Sequence, residues 1–359
     1  MESKHILILT ICLALLTVIL ILLLLIHYCK RRTPQEDDVE DIEAKFECKE
    51  RDGLDIEDFI KFDGCDDLSI DDVLEAPGEV IGKSSYGTLY RASLVRSNAL
   101  VLLRFLKPSS TLRMKEVVPV IELLGSIRHP NLVPLYAFYS GNRGEKLLLH
   151  PFYQCGTLNQ IIRDGNVESH KWSTIHKIST GVVKGLCYLH LGLGKPLIHG
   201  NIKTENIFLD HQFHPYMSDF GMHLLLTATA GQQMLEASAA LGYKAPELIK
   251  MREANGKCDI YSLGVIFLEL LTGKESIDND PSPDQDFYLP NAMRNAILDH
   301  RIKDLYHPDI MIGLSNDQRA YIEDCVLQFC QLAMACCSPI ASLRPDILQV
   351  LDRLEEIGR

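Results

Sequence analysis

The chain has 359 residues, of which 47% are hydrophobic, and a formal net charge of −12 from 36 basic and 48 acidic side chains. That length holds one large domain with an extra segment, or two medium domains, and the acidic balance without a basic patch excludes nucleic acid as a partner. The eleven cysteines form no C-x-x-C pair, so they read as small buried hydrophobes in a reducing compartment.

Residues 1–5 form a short leading segment, followed at 6–26 by "ILILTICLALLTVILILLLLI", 21 positions without a charge. A run of that length crosses a hydrocarbon core of about 30 Å. Lys30, Arg31 and Arg32 follow it against a lone Lys4 before it, which places the C-terminal side in the cytoplasm and residues 1–5 outside. A cleaved signal peptide would have a shorter apolar core, basic residues in front and a small-x-small site; an uncleaved single-pass anchor fits better. Cys29 stands beside it as a candidate for acylation. Residues 27–65 read as a linker, basic and then acidic. Between Glu36 and Glu75 there are 18 acidic and 4 basic side chains, a balance of −14. Such a stretch repels itself and suits a solvated tether.

From about residue 66 the pattern is that of a packed α+β domain. "EVIGKSSYGTLYRASL" and "ALVLLRFLK" read as strands, "KEVVPVIELLGSI" as a helix, and "PLYAFY" and "KLLLHPF" as strands again. Helical patterns then dominate, at 172–191, 258–273, 319–337 and 345–357. A strand-rich part at about 66–151 and a helix-rich part at about 152–359 predict two lobes with a cleft between them.

Several motifs occur in a fixed order: a glycine turn at 82–87, a basic strand residue at 104, "HGNIKTEN" at 199–206, "DFG" at 219–221, "APE" at 245–247, "CDIYSLG" at 258–264 and "LRPD" at 343–346. Each is weak alone; the ordered set resembles the protein kinase domain over roughly residues 62–359. "GEVIGKSSYGTLYRA", "IRHPNLVPLYAFY", "LIHGNIK" and "GYKAPEL" are similar in detail to plant leucine-rich-repeat receptor-like kinases. The resemblance implies a bilobal kinase-like fold, with a small mostly-β lobe carrying one helix and a large mostly-α lobe.

It also implies where nucleotide and metal would sit, and there the chain departs from the family. The G-x-G-x-x-G turn reads Gly82, Ser84, Gly87, with a side chain at its middle position. Arg104 stands in the register of the strand lysine; Lys107, three residues on, points to the other face. Arginine keeps the charge but not the shape. The helix glutamate that would pair with that lysine falls on Val120, and Glu122 lies about 200° around the helix. Leu102 replaces the alanine that roofs the adenine. In the H-R-D-x-K-x-x-N loop the residues are His199, Gly200, Asn201, Lys203 and Asn206. Asn201 is a neutral amide and cannot take a proton from a substrate hydroxyl, and Gly200 removes the arginine that would hold an activation-segment phosphate. Ala240 stands near the position where many relatives carry a Thr. Asn206 and Asp219 remain as the pair that would hold Mg²⁺ if nucleotide binds.

Other positions keep structural ties. The resemblance makes Glu247 and Arg344 a buried pair, Asp259 an anchor for the catalytic-loop backbone, and His199 and Phe220 packing posts. Losing chemical groups while keeping these ties points to a plasma-membrane pseudokinase that needs no cofactor and acts as a scaffold or allosteric partner of other receptor-like kinases or signalling proteins. Two alternatives stay open: a slow ATP-dependent serine/threonine kinase working through Arg104 or Lys107 with Asp219, and a nucleotide-binding switch without turnover.

Overall fold

The alternation read at 79–107 becomes the centre of an antiparallel sheet. In the computed structural model, which describes residues 58–64, 68–249, 255–278, 286–301 and 306–357, the strands are β1 (Asp58–Lys61), β2 (Gly78–Lys83), β3 (Gly87–Ser93), β4 (Leu100–Leu106), β5 (Ala137–Ser140) and β6 (Lys146–Pro151). Their order is β1-β5-β6-β4-β3-β2. The run at 6–26 and the acidic stretch up to residue 57 lie outside the described residues; among those described, no helix is long and apolar enough to cross a membrane. The stretch read as linker through residue 65 contributes β1, paired to β5 from Asp58↔Ser140 to Lys61↔Ala137. Charge density hid it, because only Phe59 and Ile60 mark the strand.

β2 and β3 form a hairpin with a register shift between Val80 and Gly82. Gly87 opens β3 where a Cβ would lie 2.3 Å from the Phe105 carbonyl oxygen, so the neighbouring strand requires glycine there. Two helices flank the sheet, α1 (Ile70–Leu74), closed by a Ser69–Asp72 capping box, and α2 (Met114–Ser126). α2 buries Val117, Ile121 and Leu124, spaced as one helical face, in the core that also holds Leu106, Phe138 and Leu148.

The large lobe holds α3 (Leu158–Arg163), α4 (Trp172–Cys187), the short hairpin β7 (Ile207–Leu209) and β8 (Pro215–Met217), α5 (Ala228–Ala240), α6 (Gly256–Thr272), α7 (Leu289–Leu298), α8 (Asn316–Cys336) and α9 (Ile347–Ile357). α6 is apolar all round and runs through the centre of the lobe, with Leu263, Val265, Ile266, Phe267 and Leu268 fully buried. Cys325, Cys330, Cys336 and Cys337 are buried free thiols on the run packed beside it. The described residues belong to one compact unit. α5, which lies between "DFG" and "APE", has no counterpart among the elements read from sequence.

Candidate functional site

Leu102 and Arg104, two residues apart on β4, point to the same face of the sheet, toward the large lobe. The Arg104 guanidinium reaches Asp219, with Nη2 2.7 Å from Oδ1 and both side chains nearly buried. The other carboxylate oxygen, Oδ2, accepts from the Tyr86 hydroxyl at 3.4 Å. Burial alone would lower the Arg104 pKa; the charge of Asp219 and the proximity of Tyr86 more than reverse that, so it lies above its ordinary value. The Tyr86 hydroxyl is pushed up to about 12, first by burial and then by the Asp219 charge. Lys107 takes the opposite direction and donates to the Ser85 carbonyl at 2.7 Å on the exposed side.

The glycine turn is closed on itself. Ser84 Oγ accepts from the Gly87 amide at 3.1 Å, and the Ser84 amide donates to the Gly87 carbonyl at 2.9 Å. The amide that the resemblance would aim at a phosphate is thereby occupied. Leu102 is 2% exposed and forms one apolar cluster with Val133 and with Phe208 of β7, joined by Leu89, Phe152 and Tyr153. Tyr153 stacks on Phe208 with ring centroids 5.6 Å apart. Beside this cluster lies a cavity of about 710 Å³ whose walls include Gly82, Ser84, Gly87, Arg104, Asn206 and Asp219, together with Lys203. Leu102 is not on its wall.

The catalytic-loop residues come together as the motif order demands. Asp259, near the start of α6, accepts from the amides of His199 (2.8 Å) and Gly200 (2.9 Å) and pairs with His190 Nε2 at 2.8 Å. Gly200 has φ +74°, and a Cβ there would sit 3.0 Å from His223 Nδ1. The imidazole of His223 therefore covers the place an arginine at 200 would start from, and backbone and space both favour glycine. Asn201 is buried and off the cavity wall; its carbonyl accepts from Asn206 Nδ2 at 2.8 Å. His199 and Phe220 meet edge to face with centroids 6.4 Å apart. Val120 packs on the core and Glu122 is exposed. Arg344 grips Glu247 through two contacts of 2.6 and 2.7 Å.

A second buried acid links the same parts. Glu269 of α6 accepts from the Tyr243 hydroxyl, from the Ser276 amide (3.1 Å) and from Arg163 (3.3 Å), and Tyr243 also meets Thr204 Oγ1 at 2.8 Å. Burial pushes its pKa up to about 7 from 4.5, against the Tyr243 hydrogen bond and the Arg163 charge. A carboxyl whose folded pKa is raised contributes stability that is complete below pH about 4.5 and is lost as pH rises through about 7. Glu269→Gln is expected to remove that loss, on the order of 3 kcal/mol between pH 5 and 8. Urea unfolding of both proteins across that range checks it: parallel curves would show that Glu269 does not titrate there.

Tyr86, Phe208 and α5 are the parts the sequence reading did not single out. Tyr86 was visible as the aromatic residue inside the quoted turn "GKSSYG". The groups that would hold a metal nucleotide already have partners within the chain. Both Asp219 oxygens have partners, the Gly87 amide is taken, and Leu102 packs in one apolar cluster with Phe208 beside the cavity.

The sequence matches the protein kinase domain family over residues 76–353. It is 34% identical over 329 residues to the kinase-like protein TMKL1 of Arabidopsis thaliana, covering 91% of this chain and 48% of that protein. The chain thus spans about half the length of that relative, and less of the leucine-rich-repeat receptor-like kinases of the same plant that it also matches. Among solved structures it is similar to the maize SIRK1 kinase domain bound to AMP-PNP, with TM-score 0.72, 26% identity, and coverage of 84% of this chain and 100% of that one. It is also similar to the pseudokinase domain of BIR2, an immune regulator of the RLK/Pelle family, with TM-score 0.65, 27% identity, and coverage of 78% and 80%.

Proposed function

This chain belongs to the protein kinase domain family, and from that premise we propose that it is a membrane-anchored receptor-like pseudokinase, a scaffold or allosteric partner for other receptor-like kinases at the plasma membrane. The observation that carries the reading is the state of Asp219: the residue expected to hold a metal ion has one oxygen on Arg104 and the other on Tyr86. Asn201 supports it, as a neutral amide buried off the cavity wall. Likeness to the BIR2 pseudokinase domain supports it from the family side. Anchoring rests on the run at 6–26 and the basic residues behind it.

The kinase family turns over at roughly 1–100 s⁻¹, and a missing general base alone removes about 10²–10⁴ of that. The full chain in detergent, given ATP with Mg²⁺ or Mn²⁺ and a generic protein substrate, is expected to transfer no γ-phosphate above background. Transfer that Asp219→Ala abolishes would return the chain to the active kinases.

A further inference from the structure

The resemblance makes Asp219 a metal ligand and the strand cation at 104 a holder of phosphates. Here the two are paired with each other. Arg104 extends from the small lobe and Tyr86 hangs from the glycine turn, and the two occupy the two oxygens of one carboxylate on the large lobe. We propose that Asp219 is the anchor of an interlobe clasp, with Arg104 as the resident cation and Tyr86 as the latch that holds the glycine turn down, so that the two lobes are tied across the inner end of the cavity without nucleotide.

Four independent features point the same way. The helix position that would draw a strand cation sideways is Val120, packed on the core. Arg104 is buried, and its Nε has no hydrogen-bond partner among the described residues, so Asp219 is what offsets the desolvation of the guanidinium. Asp219 holds a left-handed backbone, φ 65°, a conformation that residues other than glycine adopt at a cost and keep when their contacts require it. Finally, the segment after Asp219 is stitched to the small lobe by main chain. Leu112 N donates to Leu225 O at 3.0 Å, Thr227 N donates to Ser110 O at 2.9 Å, and Thr111 bridges Leu226 between them. The stretch 219–227 is therefore held from above at both ends.

The clasp rests on the same Asp219 contacts as the proposed inactivity, but its test reads the position of the glycine turn and not phosphate transfer. Lys83, exposed on the glycine turn, supplies a tryptic site that reports whether the turn is down. Cleavage of a transiently lifted turn follows the population of the lifted state. In the full chain, Tyr86→Phe and Arg104→Met are each expected to raise the rate of cleavage after Lys83 about fivefold, the change that one ordinary hydrogen bond makes in an equilibrium. Excess Mg²⁺ is expected to leave the wild-type rate unchanged.

Thermal unfolding of Arg104→Met, Asp219→Asn and the double variant completes the test. The double variant is expected to melt no lower than the weaker single variant, because both changes remove one interaction. Should Arg104→Met unfold outright, Arg104→Lys, which keeps the charge and loses the fork, gives the same cycle at smaller amplitude. Additive losses of melting temperature, or a Lys83 cleavage rate that Tyr86→Phe leaves unchanged, would overturn the clasp. Faster wild-type cleavage in Mg²⁺ would do the same, since it would mean that a metal displaces Tyr86 and Arg104 from Asp219.

Discussion

Arg344→Ala is expected to cost about 3–5 kcal/mol of unfolding free energy, the range for breaking a buried ion pair from one side. The Arg344 side chain is fully buried and lies over the Tyr261 ring at 4.9 Å. Besides its two contacts to Glu247, it donates to the Lys257 and Ser338 carbonyls, each at 2.8 Å. Truncation strands a half-enclosed carboxylate and two main-chain acceptors at once. Burial would raise the Glu247 pKa, and the Arg344 hydrogen bond and charge more than reverse it, leaving it below the ordinary carboxylate value. An orphaned Glu247 would lose that support and keep the burial that disfavours its charge. The measurement is a urea midpoint for Arg344→Ala and for the double variant Arg344→Met with Glu247→Leu. The double variant is expected to recover part of the loss, since an apolar pair of similar volume removes the uncompensated charge. If the double variant is the less stable of the two, the two side chains do not act as a pair.

That pair was visible in the sequence although 97 positions separate its members, because the motif order fixes both ends on rigid elements. The same holds for Asp259 and the loop amides it gathers. Strand alternation was enough to separate Arg104 from Lys107: an odd interval put one side chain into the cleft and the other against the outside of the glycine turn. What alternation cannot show is the partner across the gap. Tyr86 lies 133 positions from Asp219, and nothing local says that a turn-tip aromatic will fold inward. α5 escaped for a different reason. "ATAGQQMLEASAA" consists mostly of good helix formers, but its apolar face is narrow: Ala230, Met234 and Leu235 are its buried hydrophobes. Propensity without a wide apolar stripe gives a weak periodic signal. With Gly200 in place of an arginine, the helical form of this segment rests on composition and on the Thr227 cap, not on a phosphate.

Leu102→Ala carries the second large effect, and it bears on the cleft directly. Removing a nearly buried leucine side chain is expected to cost about 2–5 kcal/mol, according to how far the surroundings collapse. Phe208, Val133, Leu89 and Tyr153 belong to its apolar cluster, and a close-packed site relaxes only in part after truncation, so a void should persist between β4 and β7. That void lies where the family resemblance places a purine. Adenosine is the probe of choice: it has the base but no phosphates and needs no metal, so its binding is independent of Asp219, Arg104 and Tyr86. It is expected to leave the wild-type melting curve unchanged and to stabilise Leu102→Ala, by about 2.7 kcal/mol at a hundredfold excess over Kd. Equal stabilisation of both proteins would mean that Leu102 does not fill the slot, and the case against nucleotide binding would then rest on the clasp alone. Stabilisation of neither would mean that Phe208 and Tyr153 close the void themselves, so that Leu102 is one of several side chains barring the base.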